Sequence, residues 1–313
     1  MPDVPTTTGV LTNLVKTAFS KVVDMQLWTE PMFRRFASVE YTDLTNPGSS
    51  ITKYIHADLA NATSTLAETT DPDAVALANP SSVSITLNEY GNATISTLRL
   101  RQFSLSNIDV AQAELVSRNL RNSLDSLVLG VLRQGTNVVY SNAGNVDTTG
   151  PTNTVGATDV FSSKLVRYSV AKMRGRAALE FDDGYFIGFI HPDVSHDLRA
   201  ETGVANWRDP HVYNGTGTDL IWKGEIGVYE GVKWIETPRT YSANDGASSA
   251  TVHRTLIMGK EALAEAVSIE PGIVVSPQID RFRRFMTVGW YGLLGWSRYR
   301  EECLQRVESI ASI

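Results

Sequence analysis

The residues best equipped for chemistry sit in the segment HPDVSHDLRAE. There His191, Asp193, His196, Asp197 and Glu201 put two imidazoles and three carboxylates within eleven positions, the donor types of a zinc or other divalent site. Pro192 suits the first position of a helix through Leu198 and leaves His191 outside it. The two histidines therefore do not take the i, i+4 spacing of an H-E-x-x-H helix. The plainer reading has Asp193 in the first turn, where the helix dipole favours a carboxylate, and the other groups on solvated faces. A metal-dependent hydrolase using His191 and His196 remains the remote alternative.

Other chemistries lack their parts. No G-x-S-x-G elbow occurs for a nucleophilic serine, and Gly215 and Gly217 are not followed by the G-K-[ST] of a phosphate loop. Asp182 and Asp183 precede Gly184, as in a turn. Cys303 is the single cysteine, so neither an intrachain disulfide nor a paired-cysteine metal knuckle is available. No catalytic, cofactor-binding or metal-ligating residue is assigned. The segment RFRRF, with Arg281, Arg283 and Arg284 beside Phe282 and Phe285, suits protein carboxylates or nucleic acid, with the phenylalanines expected to be packed. With 28 Lys and Arg against 34 Asp and Glu the net charge is −6, so no global positive field draws the chain onto nucleic acid. No run approaches the ~18 apolar residues of a membrane span, and Met1 to Val10 has no basic region before an apolar stretch.

The elements that must position these residues follow from periodicity. A hydrophobic fraction of 42% and a charged fraction of 20% are those of a folded chain. Leu11 to Val23 carry a helical apolar stripe within residues 11–28, after which Met32, Phe33 and Phe36 need a surface to cover them. From Tyr54 to Leu98 there are five carboxylates and no Lys or Arg. The ends of this acidic stretch alternate as strands (Ile51, Lys53, Ile55; Val83, Ile85, Leu87) around a long polar tip. Ser106 and Asp109 have capping-box spacing. Behind them Val116, Leu120, Leu124 and Val128 make one face of a helix of roughly 28 residues, with Asp125 on the opposite, polar face and Gly135 closing it. Residues 141–157 read as a loop, Val160 to Arg174 as a helix, Tyr185 to Ile190 as a buried strand and Asp219 to Thr237 as short strands. Lys260 to Val267 read as a short helix, Phe285 to Trp290 and Leu293 to Tyr299 as strands, and EECLQRVESIASI as a polar tail.

In this order the acidic LAETTDPDAVAL, LNEYGNATISTLRL before the long helix, YFIGFIHPDVSHDLR, IWKGEIGVYEGVKWIET and VGWYGLLGWSRYREECLQRVES resemble tailed-phage major capsid proteins of the Hong Kong 97 (Johnson) fold. They are most like the branch of the phage N4 coat protein. The resemblance covers the chain from about Trp28 onward. It implies an α+β fold with an amino-terminal arm and the start of a peripheral domain over 1–50, and an extended loop hairpin over 51–98. The peripheral domain with its spine helix would take 99–135, an axial domain 136–272, and a return to the periphery 273–313. It also implies a self-assembling icosahedral shell of pentamers and hexamers around double-stranded DNA. Portal, scaffolding or decoration proteins would be partners; assembly would occur in the host cytoplasm without a membrane or cofactor. An encapsulin-type compartment shell is the alternative with the same fold. Some relatives cross-link the loop through a lysine, and the stretch between Tyr54 and Leu98 has none. Because the arm starts almost at Met1, scaffolding is expected from another protein or a removed segment. Charge segregation nominates Glu68, Asp71 and Asp73 against Arg281, Arg283 and Arg284 as the subunit interface.

Overall fold

The computed structural model describes residues 32–41, 48–63, 65–66, 68–69, 71, 74–104, 108–201, 225–276, 282 and 284–313. The helix expected over 11–28, Ser106 of the capping box, Gly215 and Gly217 lie outside them. The strands are β1 (Ser38–Tyr41), β2 (Ser50–Ile55), β3 (Ser81–Thr86), β4 (Asn88–Thr97), β5 (Val138–Asn142), β6 (Asn145–Asp147) and β7 (Phe186–Ile190). They continue with β8 (Glu225–Tyr229), β9 (Val232–Glu236), β10 (Ser242–Ala243), β11 (Val252–Met258), β12 (Leu263–Ser276), β13 (Phe285–Arg298) and β14 (Leu304–Ser309). The helices are α1 (Leu98–Phe103), α2 (Ile108–Leu132), α3 (Ser163–Gly175) and α4 (Pro192–Ala200). Among the described residues no helix is long and apolar enough to cross a membrane.

By backbone proximity the described residues divide into two units, one within 91–120 and 272–291, the other within 32–90, 121–271 and 292–313. The second is built on an eight-stranded sheet of order β6-β5-β14-β11-β7-β9-β8, with β10 paired to β11. Both faces of this sheet are covered. Phe186 and Ile190 of β7, Ile257 of β11 and Val307 of β14 pack with Leu165, Val166, Val170 and Met173 of α3 and Val194 and Leu198 of α4. Ile187, Phe189, Leu256, Met258 and Leu304 turn the other way, onto Phe33 and onto Val128 and Leu132 of α2. A strand covered on both sides reads as a continuous apolar run, which is why FIGFI stands out in the sequence. Gly188 in its middle is required by close approach: a Cβ there would lie 2.5 Å from Cε3 of the Trp234 side chain. A second sheet has the order β1-β12-β13-β4, and β2 and β3 form a separate antiparallel pair.

Four expectations are corrected. Lys260 to Val267 is not a helix: Glu261 adopts φ 64° and β12 follows, paired in parallel with β1 from Ser38↔Ala264 to Tyr41↔Val267. Its Ala and Glu residues favour a helix, but Ala264 and Ala266 are buried against Ile85 and Leu87. Glu265, fully buried, is held by Arg34 at 2.8 Å, so tertiary packing overrides propensity. The supposed loop at 141–157 begins with the β5–β6 hairpin, whose Ala143 and Gly144 take φ 48° and 73°, the left-handed pair of a tight hairpin turn. The two strands read at the carboxy end are the single strand β13. The polar tail contains β14, antiparallel to β11 and parallel to β5. Its Glu308 is fully buried between Arg306 Nε at 2.9 Å and Arg254 Nε at 3.2 Å, a pairing that lets a charged residue occupy a central strand.

Candidate assembly surfaces

The acidic hairpin is real in its stem. β2 and β3 pair in register from Ser50↔Thr86 to Ile55↔Ser81, and the hydroxyls of Thr52 and Ser84 lie 3.1 Å apart across them. Ile85 is fully buried, which fixes the face, since a slip of one residue would turn it outward. Beyond the stem no described residue of 56–80 belongs to a strand. Glu68, in a turn, and Asp71 are exposed; Asp73 lies outside the described residues. The tip's apolar side chains are exposed as well: Leu66 by 77%, Val75 by 74% and Leu77 by 78%.

On the basic side, Arg281 and Arg283 lie outside the described residues. Arg284 is exposed, with its guanidinium 5.5 Å from the ring centroids of both Phe282 and Phe285, and its carbonyl accepts the Leu98 N–H at 2.7 Å. The expectation that these two phenylalanines are packed fails within one chain, for Phe282 is 78% exposed. In the same unit Leu100, Phe103 and Leu115 also present apolar surface. By contrast Arg298, Arg300 and Arg306 pair with Glu301, Glu261 and Glu308 of their own chain, so they are already committed.

The long helix is present, and at ~1.5 Å per residue its 25 residues span about 37 Å. Val116, Leu124 and Val128 of the expected face are buried, while Leu120 is half-buried. Gly135 closes the helix by donating its N–H to the Leu132 carbonyl. Asp125 departs from the expected polar face. It is buried; Oδ1 accepts the Phe33 N–H at 2.7 Å and Oδ2 faces Arg239 Nε at 3.1 Å. Arg239 continues to Asn122 Oδ1 and carbonyl, and to Ser126 Oγ. Burial pushes the Asp125 carboxyl above its ordinary value, against the pull of Phe33 N–H and of Arg239. The clamp seats Phe33, whose ring lies 4.7 Å from that of Phe189, and Phe36 packs edge-on to Phe181 and Phe189. Met32, Phe33 and Phe36 are therefore covered by their own subunit.

The histidine segment is divided by the fold. His196 is half-exposed and turned to Asp197 at 3.4 Å, and Asp197 accepts the Ser312 N–H at 2.9 Å. Glu201 accepts the Ser163 N–H at 3.0 Å, which caps α3. His191 caps α4 by accepting the Asp193 N–H at 3.3 Å. Its ring stacks on that of His253 of β11 with centroids 4.6 Å apart. The sequence gives no local cue to His253, which arrives from 62 residues downstream through the β7–β11 pairing. Asp182 and Asp183 do form a turn: Gly184 has φ 75° and donates to the Phe181 carbonyl at 2.7 Å.

A layered core, a long helix, a two-stranded hairpin whose described tip residues are exposed and apolar side chains left uncovered are the features of a chain with surface for a partner to cover. The phage capsid protein family matches residues 37–301, and the chain belongs to that family. No curated protein sequence matches it. Its fold is similar to the capsid of Cyanophage Pam1, at 16% identity and TM-score 0.77 over 100% of each chain. It is similar also to the capsid of Ralstonia phage GP4, at 14% identity and TM-score 0.74 over 95% of this chain and 96% of that one. The head structure of Helicobacter pylori bacteriophage KHP40 matches at 14% identity and TM-score 0.73, over 96% and 97%. The α+β Hong Kong 97-like fold follows from these likenesses. By its family the chain is a major capsid protein, a structural and non-enzymatic subunit of the phage shell that works as a multimer in the virion. The family is that of phage capsids, not of compartment shells, and the hydrolase alternative falls with it.

Proposed function

We propose that copies of this chain form the pentamers and hexamers of an icosahedral shell enclosing double-stranded DNA. Assembly takes place in the host cytoplasm, with a portal and scaffolding or decoration proteins as partners. In this reading residues 1–50 are the arm and the start of the peripheral domain, 51–98 the extended loop, 99–135 the spine region, 136–272 the axial domain and 273–313 the return segment. The observation that carries it is the hairpin tip. Leu66, Val75 and Leu77 are more than 70% exposed, and a tip of this length without a core of its own points to a partner surface.

The loop reaches a neighbouring copy. There Glu68, Asp71 and Asp73 meet Arg281, Arg283 and Arg284, while the tip's apolar side chains meet apolar surface. Each exposed ion pair contributes about 0–1 kcal/mol, against about 1.5–3 kcal/mol for each Leu or Val fully buried. The apolar contacts therefore carry most of the affinity, and the charges set register and salt dependence. Electron microscopy of the purified product is the test. Closed shells or capsomers are expected; a chain that stays monomeric at high concentration and under crowding refutes the reading.

A further inference from the structure

The pairing of β7 with β11 sets His253 against the amino-terminal cap of α4, where His191 and Asp193 already sit. One donor atom from each of these three residues lies within 4.8 Å of the other two. His191 Nδ1 and Asp193 Oδ2 are 3.3 Å apart, the separation two ligands take when each is about 2.0–2.1 Å from one tetrahedral zinc ion. His253 is only 6% exposed, and its Nδ1 has no hydrogen-bond partner in the protein. A buried ring nitrogen left in this way loses its hydration without compensation. Asp193 and the cap are partly open to solvent, which leaves an entry path and room for water as a further ligand.

We propose that His191, Asp193 and His253 form a binding site for a borderline divalent metal ion, zinc above all, that ties the start of α4 to β11 within each subunit. Two imidazoles and one carboxylate match the donor preference of zinc, cobalt and nickel and are a poor match for magnesium or calcium, which take oxygen donors. Capture draws the His253 nitrogen in and displaces the long 3.3 Å cap bond, one of the weakest in the segment. His196, the other histidine of the motif, takes no part because it faces Asp197.

The test uses the full, tag-free chain dialysed against micromolar zinc and analysed for bound metal, with magnesium as the comparison ion. The expected result is one zinc per chain, a raised thermal midpoint in zinc but not in magnesium, and a cobalt derivative with a visible ligand-field band. His253→Gln, Asp193→Asn and His191→Asn should each weaken zinc binding by about tenfold or more, since even outer-shell partners cost that much. His196→Gln should change nothing. His191→Asn and Asp193→Asn alter partly exposed positions, and Asn is itself a good helix cap, so these two decide the matter even where His253→Gln does not fold. A chain that binds no zinc overturns the proposal. So does one whose zinc stoichiometry and affinity survive both of those variants.

Discussion

Replacing Arg239 by Met asks how much the clamp on α2 is worth. Arg239 is 18% exposed and Asp125 1% at the side chain, so screening by solvent is slight and the discount due to an open surface pair does not apply. Removing the guanidinium leaves the Asp125 carboxylate buried with backbone N–H donors alone, those of Phe33 and Arg34, and strips Asn122 and Ser126 of a shared donor. Breaking a buried pair from one side costs about 3–5 kcal/mol, a large share of the ~5–15 kcal/mol of a typical domain. Asp125→Asn keeps an acceptor for Phe33 and should cost only ~1 kcal/mol at pH 7. The double variant should cost less than the two singles together, by at least ~1 kcal/mol, because the second change no longer orphans a charge. The pH dependence carries a definite sign. Burial raises the folded carboxyl above its ordinary 3.8, so its contribution to stability is fully present below the unfolded value and is lost as pH rises through the folded one. The deficit of Asp125→Asn is therefore wider in acid, below about pH 3.8, than at pH 7. Urea unfolding of the dispersed chain, followed by tryptophan fluorescence, reads all three variants. Single costs that add to within ~0.5 kcal/mol would refute the clamp.

Leu124→Asp places an unpaired carboxylate on the buried face of α2 and should cost several kcal/mol, so that the chain is lost to aggregates before any shell forms; soluble, assembled particles would show that the face is wrongly assigned. Gly188→Ala would drive a methyl group into Trp234 and Val232, costing about 1–3 kcal/mol or more as overpacking; an unchanged urea midpoint would contradict the close approach. Reversing Glu68, Asp71 and Asp73 to Lys should lower shell yield at low salt and leave the high-salt yield close to that of the parent; a triple variant that assembles like the parent at low salt removes the electrostatic part of the loop contact. Leu66→Ser with Leu77→Ser should reduce yield at every salt concentration, since apolar burial is not screened, and a yield unchanged in light-scattering assays would count against the apolar part.

What the sequence showed clearly was whatever depended on local pattern. The stripe of α2, the continuous run of β7, Pro192 opening α4 and the alternation of the hairpin stem are each set within about ten residues, and each stands where periodicity places it. What it hid depended on partners far along the chain. β12 reads as a helix until β1 is laid beside it, and β14 reads as a tail until Arg254 and Arg306 are seen to enclose Glu308. Asp125 has helical spacing with the polar face, yet Arg239, 114 positions away, brings it inside. The same limit applies to the candidate sites. His191 and Asp193 were visible as donors, but the third group, His253, is supplied by strand pairing and not by spacing.

Three of the buried acids described in the larger unit share a physical logic. Asp125 meets Arg239, Glu265 meets Arg34 and Glu308 meets Arg254 and Arg306, and in each case one partner comes from a segment remote in sequence. Such pairs add little net stability over apolar residues of the same size, because desolvation offsets most of the attraction, but a wrong pairing leaves a charge buried alone at a cost of several kcal/mol. For β14 the consequence is direct. Val307 faces the layer covered by α3, while Leu304 faces the other side. A shift of one residue against β11 would exchange the two faces and carry Glu308, with its strand neighbour Arg306, away from Arg254 into the apolar layer of Val139, Leu165 and Ile257. The acid that makes this strand look like a polar tail is thus what holds it in one register, and a shell subunit that must present the same outline in every copy depends on that register being single.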